Sequence, residues 1–186
     1  MRKYLERSTQ NNQSMNRSEL IRRLRDDHTS FISFVDSLTD EQLSRSKPNK
    51  WSASRQAQHV YLCLRPIRLA LGLPKWIPVL LFGKSKTGSR SYESLVTAYQ
   101  AKLQAGGKAP FLYEPGKATF SKERDLKRLQ TLVAKLTERI ALLEDSEMDS
   151  ILLPHPLLGK LTIRELLHFA LYHVGHHHKQ AMEQIE

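Results

Sequence analysis

Residues Thr162–Ile185, TIRELLHFALYHVGHHHKQAMEQI, repeat apolar side chains at the period of an α-helix. A chain carrying such a stretch must bury one long helical face. Thr162 followed by Glu165 forms a capping-box pattern at its start. Ile163, Leu166, Leu167, Ala170, Val174 and Ala181 mark the inward face. The same stretch holds five of the chain's eight histidines. At roughly 100° per residue, His173 and His177 lie about 40° apart, one turn from each other and on or beside the apolar stripe. His168 and His176 are expected to point away from it, and His178 to sit at its far flank. Two imidazoles at i and i+4 on one inward face can bite one metal ion. The plainer reading is a histidine-rich surface end, or a partly buried pair held by hydrogen bonds.

Three further stretches share this periodicity. Asn16 with Glu19 can cap a first helix, along which Leu20, Ile21, Leu24, Phe31, Ile32, Val35 and Leu38 recur. His28 falls mid-stripe, where a hydrogen-bonded core histidine is the ordinary expectation. After a loop at residues 44–50, Trp51 and Ser52 open a second helix with Ala53, Ala57, Val60, Cys63, Leu64, Ile67 and Leu71 inward and Pro66 as a local disturbance. His59 borders that face, and bundle cores build metal sites from facing helices. A third helix starts at Ser121 with a seam of Leu126, Leu129, Val133, Leu136, Ile140 and Leu143. Between the second and third lies a long connection. It comprises a Pro-broken apolar run (LGLPKWIPVLLFG), a short helix (SYESLVTAYQAKLQ) and a Gly/Pro loop of the kind that often covers a site. The fold expected is an all-α four-helix bundle with a long crossover between helices 2 and 3. Residues 1–15 form a polar arm and residues 16–186 the domain. No strand-period alternation, phosphate loop or nucleophile elbow is read anywhere, and LPHPLLGK at 153–160 is taken as a turn.

Composition bounds the setting. The chain of 186 residues, 40% apolar, suffices for one good core. One cysteine excludes an internal disulfide, and no apolar leader is read in MRKYLERSTQNNQS, so a reducing cytoplasm is expected. The run Trp76–Phe82 is far shorter than the ~20 residues a spanning helix needs. The net charge of +10 is compatible with nucleic acid, an anionic membrane or an anionic small molecule. No nucleic-acid signature accompanies it, and neither nucleic acid nor a membrane is expected as partner.

Taken in order, these features resemble the DinB-like (DinB/YfiT) superfamily of metal-binding four-helix bundles, which includes bacillithiol and mycothiol S-transferases. The resemblance is carried by LTDEQL…KWS followed by His59, by KAPFLYEP in the crossover, and by HPLLGKLTIRELLHFALYHVGHHHKQ. The last is similar to the family's HP-x-x-G-x-L-T start and H-x-x-x-H-x-x-Q close. It spans roughly residues 16–186. It implies metal ligands at His59, His173 and His177, with zinc or nickel as the ion. His28, His155 and Gln180 are candidates for second-shell or substrate contacts.

The function so implied is transfer of a low-molecular-weight thiol to an electrophile at an open three-histidine site. Metal-dependent hydrolysis is the alternative enzyme reading. A metal-stabilised, stress-associated binding protein is the non-enzymatic one, with His28 or Cys63 closing the site. An anionic thiol is the expected small-molecule partner. Lys84, Lys86, Arg90 and Lys160 could attract it, although solubility alone is the plainer explanation of all four. A homodimer is compatible with all of this.

Overall fold

The computed structural model describes residues 15–116 and 119–186; the polar arm expected at residues 1–15 lies outside these, apart from Met15. In chain order the elements are α1 (Arg17–Ser37), α2 (Asp40–Ser44), α3 (Ala53–Ala70), α4 (Trp76–Phe82), α5 (Tyr92–Gln104), a 3-10 turn (Phe111–Tyr113), α6 (Lys122–Ala141), α7 (Asp145–Ser150), β1 (Leu152–His155), β2 (Gly159–Thr162) and α8 (Ile163–Met182). The chain is mostly helical, and α1, α3, α6 and α8 form the bundle.

Helix starts follow local chemistry. Asn16 accepts the Glu19 amide, Ser52 that of Arg55, and Thr162 with Glu165 completes the capping box of α8. Each helix then turns its apolar stripe inward. Leu20, Leu24, Phe31 and Val35 of α1 meet Leu129, Leu136 and Ile140 of α6 and Leu167, Ala170 and Val174 of α8 in one core. Truncating a fully buried ring such as Phe31 to alanine would cost about 3–5 kcal/mol.

Contacts between helices set their directions. Arg17 donates to the Leu143 carbonyl and Lys122 to that of Leu38, so α1 and α6 are antiparallel. Gln56 and His59 meet His177 and His173, and Ala70 shares a hollow with Ile163, so α3 and α8 are antiparallel. Arg128 lies over Tyr61 and Arg139 lines the same hollow as Ala70, so α3 and α6 are parallel neighbours. Parallel neighbours need a connection that returns the chain the full length of the bundle. Residues 71–121 make that return, and α5 climbs the outer side of α8, with Tyr92 on His168 and Tyr99 on Phe169.

Two sequence expectations are corrected. LPHPLLGK is not a simple turn: β1 and β2 pair antiparallel from Leu152↔Thr162 to His155↔Gly159. The strands are four residues each, too short for alternation to register, and Pro154 inside β1 reads as a break. Gly159, at φ 76°, supplies the left-handed turn. Second, His168 does not face water. It is buried because α5 covers the side of α8 that an uncovered bundle would leave wet.

The core therefore contains histidines that must stay neutral. His28 gives its Nδ1 to the Leu24 carbonyl at 2.8 Å and has no partner at Nε2, while neither ring nitrogen of His168 has one. Burial pushes both down from 6.5 to about 4, with the Arg164 guanidinium adding to the effect at His168. An unfolded chain binds these protons near pH 6.5, whereas the folded chain refuses them until about pH 4. Their stabilising effect is thus complete above pH 6.5 and is lost as pH falls toward 4. Urea midpoints of the metal-free protein should be flat above pH 6.5 and fall steadily below it. In His168→Leu, which removes two buried unpaired nitrogens, the fall should be shallower and stability at pH 7 unchanged or higher by about 1 kcal/mol.

Candidate metal centre

The antiparallel contact of α3 with α8 sets His59 against His173 and His177. All three rings are buried. The Nε2 atoms of His59 and His173 stand 3.1 Å apart, and those of His177 and His173 3.0 Å apart. The outer nitrogens are already spoken for. His59 Nδ1 donates to the Tyr113 carbonyl at 2.6 Å. His177 Nδ1 donates to Gln56 Oε1, and Gln56 is held in that sense because its Nε2 donates to the Trp51 carbonyl at 3.3 Å.

These bonds leave Nε2 of His59 and His177 without protons, as lone pairs aimed at His173. His173 has one proton at most to offer between them, so a neutral cluster leaves a lone pair unanswered in the core. A cation answers all three at once. Tetrahedral zinc, with ligands at about 2.0–2.1 Å, sets its nitrogens about 3.3 Å apart, so the separations of 3.1 and 3.0 Å to His173 would need to open by only a few tenths of an ångström. The donor set therefore fits a divalent ion.

Electrostatics agree with this. Burial holds His173 well below the ordinary imidazole range, with His177 and His59 adding to it. Burial does the same at His177, with the His59 and His176 rings adding to it. Burial also lowers His59, against the opposing effect of its Tyr113 bond. Imidazoles kept neutral in this way are ready ligands.

The other candidates fall elsewhere. His28 is a core histidine on α1 and does not join the cluster. His155 accepts the Leu157 and Leu158 amides at 3.2 and 3.1 Å, closing the hairpin turn. It packs edge-on against Phe169, which in turn packs at a tilt against His173. Gln180 lies three residues past His177 on α8, where its backbone carbonyl accepts from Gln184 Nε2 at 3.1 Å. His176 stacks on Tyr172, and His178 packs on Phe31 and Phe34. Cys63 Sγ is 3.5 Å from His59 Nε2, but it is not among the described groups that can share one ion with all three histidines. Its surroundings push the thiol up to about 12.

Lys84, Lys86, Arg90 and Lys160 do not surround the cluster. Lys84 pairs with Ile151, Arg90 with Glu165, and Lys160 with the Phe82 carbonyl, all at the opposite end of the bundle. A cation linked to the site by contacts is Arg55, which lies over Trp51 and donates to the Pro115 carbonyl at 3.2 Å; Trp51 in turn packs on His59. Gln56 and the Tyr113 carbonyl went unread in the sequence. Gln56, three residues before His59 on the inward side of α3, was the legible hint.

Fold and cluster together define a helical-bundle protein with a buried three-histidine centre suited to a divalent ion. The chain belongs to the DinB superfamily, whose pattern matches residues 23–181. It is also 32% identical over 79 residues to the uncharacterized protein YuaE of Bacillus subtilis (strain 168), an overlap covering 42% of this chain and 46% of that protein. The chain thus spans about half the length of that relative. No solved structure matches it.

His173→Ala and His177→Ala should each abolish stoichiometric metal binding, while His176→Ala and His168→Ala should retain it. Metal content is to be read beside far-UV circular dichroism on untagged protein. Gln56→Ala, which frees the His177 ring, should weaken affinity about 10- to 100-fold in chelator competition.

Proposed function

We propose that the protein is a metal-dependent enzyme that transfers a low-molecular-weight thiol to an electrophilic carbon, with His59, His173 and His177 as ligands to zinc or nickel. The observation that carries this reading is the ligand count. Among the described residues three histidines can share an ion, and neither His28 nor Cys63 joins them as a fourth. A site with three protein ligands leaves room for a substrate, which is the arrangement of catalytic rather than structural centres.

A divalent ion held by three neutral imidazoles keeps its full charge and so lowers the pKa of a thiol or water brought to it. The chain's own residues supply the rest. Tyr113 and Gln56 hold the outer nitrogens, so the ligand rings keep one tautomer and one direction. The 3-10 turn from the crossover lies over α3 and contributes the Tyr113 carbonyl, which restricts water at the site. Arg55, through its contacts with Trp51 and Pro115, offers positive charge to a carboxylate-bearing thiol. In the reaction the thiol gives up its proton to solvent and sulfur bonds to carbon; with a chloro-aromatic the carbon–chlorine bond breaks and chloride leaves with the electron pair, and with an epoxide the ring carbon–oxygen bond breaks and the oxygen takes up a proton.

The test is thiol consumption against a chloro-aromatic or epoxide by metal-loaded protein. Activity should require the metal and vanish in His59→Ala. Arg55→Glu should raise the apparent KM for an anionic thiol several-fold more than for a neutral one, and added salt should narrow the gap. Full metal occupancy without turnover of any thiol, but with ester or amide hydrolysis, would replace transfer by hydrolysis.

A further inference from the structure

The positive charge of this chain is not spread over it. From residue 42 to residue 92 there are ten Lys and Arg and no Asp or Glu, so this stretch alone carries the whole net charge of +10. The remaining residues balance, at 19 basic and 19 acidic. Part of this stretch forms the end of the bundle away from the histidines. There α3 finishes and α4 lies across the end.

The same end carries most of the chain's exposed apolar bulk. Of nine large hydrophobic residues exposed among those described, six are here: Leu69, Leu73, Trp76, Leu80, Leu81 and Leu142. Trp76, Leu80 and Leu81 are 66%, 74% and 62% exposed on the outer side of α4, whose Pro78 is buried inward. Leu73 and Leu142 border a hollow of about 310 Å³ beside that helix. Isolated exposed leucines are ordinary, but six large apolar side chains exposed at one end of the bundle mark a contact.

Local acids do not cancel the local cations. Asp145 and Asp149 are taken by buried Arg164, each at 2.6 Å, and Glu147 by Lys75 at 2.6 Å. Glu144 is engaged in capping α7, and Glu138 stands next to Arg139. Lys84, Lys86 and Lys160 remain exposed around α4 with no acidic partner among the described ion pairs.

We propose that this end of the molecule docks on an anionic lipid surface, with Trp76, Leu80 and Leu81 entering the interface and the surrounding lysines meeting the headgroups. No helix among the described residues is long and apolar enough to cross a membrane, and the seven residues of α4 would lie in the plane of the interface. An apolar helix face flanked by lysines is the chemistry of such peripheral contacts: tryptophan and leucine take up the acyl boundary, and lysine reaches back to phosphate. A second copy of the chain is the weaker occupant, because a face-to-face dimer would set this positive surface against itself. The histidine cluster lies about 15 Å further along α3 and α8, ten or eleven residues at 1.5 Å each, so docking here leaves that end free.

The experiment is co-sedimentation of the full chain with vesicles of phosphatidylglycerol and phosphatidylcholine in equal parts, beside pure phosphatidylcholine. The parent should partition onto the anionic vesicles only, with a blue shift of tryptophan emission that Trp76→Phe removes. Leu80→Ser/Leu81→Ser should lower partition about tenfold or more. Lys84→Glu/Lys86→Glu should lower it as well, and salt should weaken the parent. Circular dichroism checks that both double variants are folded. Failure of the parent to bind at low salt would overturn the proposal. So would equal binding by the serine variant, which would mean adsorption by charge alone. A parent that is dimeric in solution and a serine variant that is monomeric would assign the face to a second copy and overturn it too.

Discussion

The antiparallel packing of α3 on α8 is the contact on which the functional geometry depends. It brings one histidine from α3 and two from successive turns of α8 to within 3.1 Å along the cluster, in a place with little water. Three neutral imidazoles facing one another are a poor arrangement by themselves, since two of them offer only lone pairs inward. Gln56 and the Tyr113 carbonyl enforce that arrangement by occupying the outer nitrogens. The stored electrostatic mismatch is what makes the site receptive to a cation.

The crossover follows from a second constraint. Because α3 and α6 are parallel neighbours, the chain must travel back along the bundle between them, and it does so over α8. That return has two effects. It covers the outer side of the first half of α8, including His168 under Tyr92. It also delivers the 3-10 turn to His59, so the same connection that returns the chain supplies the Tyr113 carbonyl that holds the His59 ring.

The molecule is thereby divided along its length. One end holds the histidines, with Trp51 and Arg55 beside them. The other holds α4, the start of the hairpin at Leu152, and the exposed Lys84, Lys86 and Lys160. Chemistry at one end and surface attachment at the other would then use separate stretches of α3 and α8, with the rigid helices between them.

The amino-acid sequence by itself determined the four bundle helices, since their period, caps and apolar seams are local properties: Asn16, Ser52 and Thr162 cap where the pattern requires, while the short α4 reads only as a Pro-broken apolar run. The inward direction of His173 and His177 was legible for the same reason, as the two share a face one turn apart. Membership of the DinB superfamily was legible in the block from His155 to Gln180. The hairpin was not, because strands of four residues carry too little alternation and Pro154 argues against them. Nor was the burial of His168, which depends on α5 lying over a face that periodicity marks as outer. The distance between Lys84, Lys86, Arg90 and Lys160 and the histidines was likewise decided by tertiary structure alone. Their neighbours in sequence run toward the site, but the chain has a bundle's length still to climb, and only the parallel pairing of α3 with α6 makes that climb necessary.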